Sequence, residues 1–198
     1  MRNMSIEVEL KAHVRSPENT KALMDKKLIY KGSFIKKDEY WYPESGSAIY
    51  RNFSKSGLRI RKETFTDNTG TVNETVYITW KVKEIRENIE VNKENEFIVD
   101  NFGEFKGFLA LLGFRKGKEK QKTGFLYVKD RLKAELCEVK NLGFFLEIEI
   151  IPENDNEKTI KAARDELFCC LSTLEIGKEE LETRFYSEIL AENWLEAR

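Results

Sequence analysis

Six segments of this chain alternate between charged and apolar residues, and in each the charges fall on one side. Residues Ile6 to Val14 set the pattern. A strand's two-residue period puts Glu7, Glu9, Lys11 and His13 on one face and Val8, Leu10 and Ala12 on the other. The same period groups Arg59, Arg61 and Glu63; Thr79, Lys81 and Lys83; Lys118, Lys120 and Lys122; Lys133, Glu135 and Cys137; and Glu147 with Glu149. Such a chain folds only if each strand lies between two unlike environments.

The ordinary solution is a one-sided antiparallel sheet, with its charged face in water and its aliphatic face on the core. The sorting of sign argues for another. Two strands carry acid pairs as Glu-x-Glu and three carry basic pairs as Arg-x-Arg or Lys-x-Lys, whereas a solvated surface intersperses signs. Turned inside out, the charged faces line a tunnel and the aliphatic faces meet surrounding helices. Carboxylates about 7 Å apart along a strand can then hold a hard divalent cation. Arginine forks and lysine ammoniums can hold phosphate oxygens beside it.

The remaining elements follow from local signals. Ser16-Pro17-Glu18 supplies an N-cap, a first-turn proline and an early acid for a short helix bearing Ala22, Leu23 and Leu28. Extended segments follow at 34–42 and 58–62, with Gly46 and Gly57 as punctuation, and at 76–83 after the polar turn Asp67-Asn68-Thr69-Gly70. Residues 84–95 are polar without a clear period and read as a mobile loop entering a strand at 96–99. Asp100 or Asn101 caps a helix in which Phe105, Phe108, Leu109, Leu111 and Leu112 form a buried stripe before Gly113. Strands near 117–128, 131–139 and 144–151 precede a helix begun by Asn154 or Asp155, with Ile160, Ala163, Leu167, Cys170, Leu171 and Leu174 on one side. A last helix spans Lys178 to Leu195, Cys169 and Cys170 read as core, and Trp80 and Trp194 read as packing residues. The expectation is one α+β domain over residues 1–198: a closed eight-stranded antiparallel β-barrel, or tunnel, with a charged interior and helices packed outside.

Composition removes several function classes. With 34 Lys and Arg against 35 Asp and Glu, no global field draws nucleic acid or an anionic membrane, so any anion site is local. The three cysteines are odd in number and lack metal-binding spacing, which indicates reduced thiols. No apolar run reaches the length of a membrane span and there is no signal-peptide core, so a soluble, cytoplasmic protein is expected. His13 is the single histidine and reads as a solvated bystander. A histidine-rich zinc or iron site is excluded; any metal sits on carboxylates, which suits Mg2+ or Mn2+.

Glu7-x-Glu9-x-Lys11 is followed in order by Asp38-x-Tyr40-Trp41, Leu58-Arg59-x-Arg61, Thr79-Trp80-Lys81, Glu119-Lys120-Gln121-Lys122 and Leu142-Gly143-x-Phe145-x-Glu147-Ile148-Glu149, with Tyr186 near the C-terminus. This series resembles the CYTH, or triphosphate tunnel metalloenzyme, superfamily, which unites class IV adenylate cyclases with thiamine and inorganic triphosphatases. The resemblance implies metal ligands at Glu7, Glu9, Glu147 and Glu149, completed by Glu96 or Glu94. It implies substrate binding by Lys11, Arg59, Arg61, Lys81, Lys83, Lys120 and Lys122, with Tyr40 and Arg184 beside them, and a catalytic set of Lys11, Arg59, Lys81 and Glu147. One position departs from the pattern. Where the family usually has an aspartate this chain has Cys137, followed by Glu138, and Glu135 on the same face is an alternative acid.

The motifs are most similar to those of class IV cyclases. The resemblance therefore implies conversion of ATP to cyclic AMP and pyrophosphate, with Mg2+ or Mn2+ as cofactor, a small-molecule triphosphate as substrate and a homodimer as assembly. The balanced charge and the lack of a membrane-length apolar run add the expectation of no nucleic-acid or membrane partner. The second reading is a triphosphatase acting on inorganic tripolyphosphate, thiamine triphosphate or nucleoside triphosphates. The third is a non-catalytic polyphosphate or nucleotide-binding module, which would need the basic rows but not the acid pairs.

Overall fold

The computed structural model describes residues 5–44, 57–186 and 188–190. The alternating segments form eight strands: β1 (Ser5–His13), β2 (Ile29–Pro43), β3 (Leu58–Asp67), β4 (Val72–Arg86), β5 (Ile89–Ile98), β6 (Phe114–Lys129), β7 (Leu132–Val139) and β8 (Gly143–Ile150). They close in the order β1-β5-β4-β3-β2-β6-β7-β8, and every neighbouring pair is antiparallel. Closure pairs each strand with a neighbour on both sides, so no whole strand edge is left open. The described helices are α1 (Pro17–Lys27), α2 (Phe102–Leu111) and α3 (Glu157–Thr173), with a 3-10 turn at Lys178–Glu180.

The aliphatic faces point outward. Val8, Leu10 and Ala12 of β1, Ala134 and Leu136 of β7, and Leu146, Ile148 and Ile150 of β8 are all buried. They share one core with Met24 of α1 and Ile160, Ala163, Leu167 and Leu171 of α3. Helix α3 forms because its apolar residues recur at three- and four-residue spacing and because the Asn156 side chain accepts the Thr159 N–H at 2.8 Å. A second core joins Trp41, Ile60 and Ile78 to Leu109 of α2, which the Asn101 side chain caps through the Glu104 N–H. Ser16 flanks α1 as expected, but its side chain makes no capping bond.

Four sequence expectations are corrected. Residues 84–95 are not a loop: β4 runs to Arg86, Glu87 and Asn88 turn with φ of 49° and 68°, and β5 begins at Ile89. Ile89 and Val91 join the outer core while Glu90, Asn92 and Glu94 share the opposite face, so the strand's first four residues are buried on both sides. Second, the α2 stripe is only partly buried. Phe102, Phe105 and Leu109 meet the barrel, and Phe108, Leu111 and Leu112 are exposed. Third, Cys169 is exposed and Cys170 half-buried. Fourth, the chain after Lys178 is not one helix. Pairing of β1 with β5 stops at Glu9, leaving the Lys11 carbonyl without a neighbouring strand on that side. The last segment supplies one: Leu181 bridges Ala12 and the Glu182 N–H donates to the Lys11 carbonyl at 2.8 Å. A helical turn resumes where the Ile189 N–H donates to the Phe185 carbonyl. The end of the expected helix with Trp194, and the Gly46 punctuation, lie outside the described residues.

Candidate active site

The barrel encloses a cavity of about 560 Å³ lined by the charged faces. Strand register brings these residues together. Lys11 stands opposite Glu147 and Glu147 opposite Glu135, while Asp38 lies between Arg61 on one side and Lys120 on the other. Of the residues expected at the site, Glu7, Glu9, Lys11, Tyr40, Arg59, Arg61, Lys81, Lys83, Glu96, Lys120, Lys122, Glu147 and Glu149 line this cavity.

The acids gather where β1, β5 and β4 meet. The Lys81 ammonium lies 2.6 Å from Glu94, 3.1 Å from Glu9 and 3.4 Å from Glu7. Between the two acids left open, Glu94 is the one in this cluster; Glu96 is more exposed and accepts the Thr79 hydroxyl at 2.7 Å. Burial raises the Glu7 carboxyl, Lys81 opposes the rise, and Glu94, Glu149 and Glu9 add to it, to about 8. Burial also acts to raise Glu9, but Lys81, Lys83 and Lys11 outweigh it and hold that group below its usual range. Asn92, fully buried, donates to Glu9 at 3.2 Å, and its side-chain oxygen has no partner among the described residues.

The bases form the complementary arrangement. Glu135 receives Lys36 at 2.5 Å, Lys122 at 2.9 Å and Lys133 at 3.3 Å, and Lys122 also bonds Glu147. Glu135 is thus occupied by ammoniums, and Glu138 is exposed. Asp38 is bound by both arms of Arg61, at 2.7 and 2.9 Å, and by Lys120 at 3.2 Å. Arg61 and Lys120 are held in place before any substrate arrives. Arg59 donates to the Thr79 hydroxyl at 3.0 Å, and Lys83 pairs with Glu90 at 2.8 Å.

The strap that follows the 3-10 turn crosses the cavity. Lys11 donates to the Arg184 carbonyl, and Tyr186 donates to Glu147 at 2.6 Å with its ring under Lys11 and Lys120. The Arg184 side chain is half-exposed and pairs with Glu182, which also meets His13 at 3.1 Å. Arg184 therefore contributes its backbone here; its side chain is not among the cavity-lining groups. Cys137 packs with Phe34, Val139, Phe145 and Tyr186, and burial, with the Glu147 charge adding to it, pushes its thiol up to about 12. Sequence reasoning missed Lys36 and Glu90, which line the cavity, and Asn92 beside them. The signal was present as Phe34-x-Lys36-x-Asp38-x-Tyr40 and Glu90-x-Asn92-x-Glu94-x-Glu96.

The donor set suits a hard cation: carboxylate oxygens from Glu7, Glu9 and Glu94, with an orphaned carboxamide oxygen on Asn92 beside them. The three carboxylates converge on Lys81. No group of three or more acidic, histidine or cysteine side chains is spaced to hold a metal ion as it stands among the described residues.

A family model described as the CYTH domain matches residues 5–186. The chain belongs to the CYTH family. This CYTH protein is 28% identical over 190 residues to a Methanocaldococcus jannaschii protein named as a candidate adenylate cyclase, covering 93% of this chain and 98% of that one. Among solved structures it is similar to the Pyrococcus horikoshii protein PH1819, at 25% identity and a TM-score of 0.77 over 94% of this chain and 99% of that one. It shares its fold with a candidate adenylyl cyclase from Hippeastrum described as having a dominant triphosphatase activity, at 15% identity and a TM-score of 0.64 over 96% of each chain. No described helix is long and apolar enough to cross a membrane.

Proposed function

We propose that this CYTH protein is a divalent-metal-dependent, class IV-type adenylate cyclase that converts ATP to cyclic AMP and pyrophosphate. The observation that carries the reading is the division of one cavity into an acid cluster at Glu7, Glu9 and Glu94 and a cationic array at Arg59, Arg61, Lys120 and Lys122. A triphosphate presents both requirements at once, because its oxygens seek cations and its charge calls for a metal. The relative named as a candidate cyclase favours ATP as the substrate.

Glu7, Glu9 and Glu94, with the Asn92 oxygen, would hold Mg2+ or Mn2+, which supplies polarisation of a phosphoryl oxygen. Arg59, Arg61, Lys120 and Lys122 bind and orient the phosphate chain, and Lys11 adds a further ammonium from β1. Cyclisation forms a bond from the ribose 3′-oxygen, whose proton passes to water, to the α-phosphorus and breaks the bond to pyrophosphate, so negative charge grows on the leaving oxygens. Fixed cations stabilise that charge without reorganising. Burial acts to raise the Glu147 carboxyl, but the surrounding ammoniums, Lys122 first and Lys120 with it, together hold the group down at about 2. Glu147 therefore stays ionised and acts through the Lys122 ammonium and the Tyr186 hydroxyl. Glu149, expected on the metal, is paired with Lys133 at 2.9 Å.

Hydrolysis of tripolyphosphate is the second reading. It is favoured by the lining itself, in which charged groups that answer to phosphate or metal outnumber the rings that could meet a base, those of Phe34, Tyr40, Tyr42, Phe65, Tyr77, Phe185 and Tyr186. Phosphorus NMR of the products separates the two readings. Incubation with Mn2+ and ATP is expected to give cyclic AMP and pyrophosphate in equal amounts. Orthophosphate from ATP or tripolyphosphate, without cyclic AMP, would establish the hydrolase instead.

A further inference from the structure

Lys81 was expected on phosphate, yet its ammonium touches three carboxylates, at 2.6, 3.1 and 3.4 Å. These are the oxygens that the proposed metal would use. An ammonium and a divalent cation cannot share them, because both are positive and both need the same lone pairs. Lysine also differs from arginine in carrying a compact charge on a flexible stem, which can change partners without a change of backbone. Lys81 is on β4, two residues beyond Thr79, and Thr79 is the register partner of Arg59 and accepts its hydrogen bond. A phosphate held by Arg59 is therefore on the same side of the tunnel. The orphaned Asn92 oxygen adds an independent sign: beside Glu9 lies a buried acceptor that the ammonium leaves unsatisfied.

We propose that Lys81 is a resident counter-ion of the metal site: a divalent cation entering the Glu7, Glu9 and Glu94 cluster displaces its ammonium, which turns to the triphosphate. The inference rests on the metal reading given above and adds a coupling to it. Metal entry releases a phosphate ligand, so metal and triphosphate each tighten the binding of the other, by the same factor.

Binding of Mn2+ to the intact protein, followed by the paramagnetic resonance of the free ion with and without the non-hydrolysable imidotriphosphate, tests it. Lys81→Met is expected to bind Mn2+ alone at least tenfold more tightly than the wild-type chain, and to gain less from imidotriphosphate. Lys81→Arg keeps the charge and is expected to bind Mn2+ alone no more tightly than wild type. Equal or weaker Mn2+ binding by folded Lys81→Met would overturn the proposal. If that variant does not fold, NMR of the wild-type protein with 13C-methylated lysines replaces it. The Lys81 signal, identified by its absence in Lys81→Arg, is expected to shift on adding Mg2+ alone, and a signal unmoved at saturating Mg2+ would overturn the proposal. Failure of Mn2+ to bind any of these proteins, even with imidotriphosphate, would remove the underlying metal reading and this inference with it.

Discussion

Asp38 is 1% exposed and holds two cations, Arg61 and Lys120, on the inner wall. Asp38→Asn keeps the shape and removes the charge, which strands two buried cations. Removing one partner of a buried ion pair costs about 3–5 kcal/mol, so a loss of that size is expected in urea denaturation; a loss under 1 kcal/mol would mean that water already screens the pair. Cys137 gives a second prediction. Its raised thiol and its apolar surroundings should leave it unlabelled by iodoacetamide at pH 8 in the native protein, while exposed Cys169 reacts. The sign of the linkage follows from the raised folded value. The stability it contributes is fully present below the unfolded thiol's pKa of roughly 8.5 and is lost as pH rises toward the folded value of about 12. At this scale the sequence revealed Glu7, Glu9 and Lys11 because alternation alone sends them to one face. It did not reveal whom they touch: that Lys81 sits on three acids and Glu135 on three lysines depends on strand order around the barrel, which no local period encodes.

The β4–β5 hairpin shows why one element was misread. Its turn is Glu87-Asn88, both with positive φ, in place of the Asn-Gly or Asp-Gly that ordinarily marks such a turn. Its inner row of Glu90, Asn92, Glu94 and Glu96 is met on the outer face by Lys93 and Asn95, so apolar alternation fades over half the strand. Asn tolerates the left-handed region and alanine does not, and Asn88→Ala is expected to lower stability by about 1–2 kcal/mol in thermal unfolding. Helix α3 was legible because its apolar stripe has one clear period and ends in the core. Leu167, fully buried there, should cost about 2–5 kcal/mol on truncation to alanine. A cost near zero would show that α3 is not the cover of β1 and β8.

For the molecule as a whole, the deciding sequence property was charge sorted by strand, which a one-sided sheet has no reason to keep. An inverted barrel accounts for it: aliphatic rows face α1, α2 and α3, and acids and bases face one another across about 560 Å³. In the structure nearly every interior charge already has an opposite partner, which permits so many ions inside a closed wall. The same pairing fills the oxygens of the proposed metal site with Lys81. The most direct measurement is the anomalous scattering of Mn2+ in crystals grown with imidotriphosphate. The expected result is Mn2+ bonded to oxygens of Glu7, Glu9 and Glu94, with the phosphate chain on Arg59, Arg61, Lys120 and Lys122. Mn2+ and phosphate found only outside the barrel, with Lys81 still on its three glutamates, would contradict it.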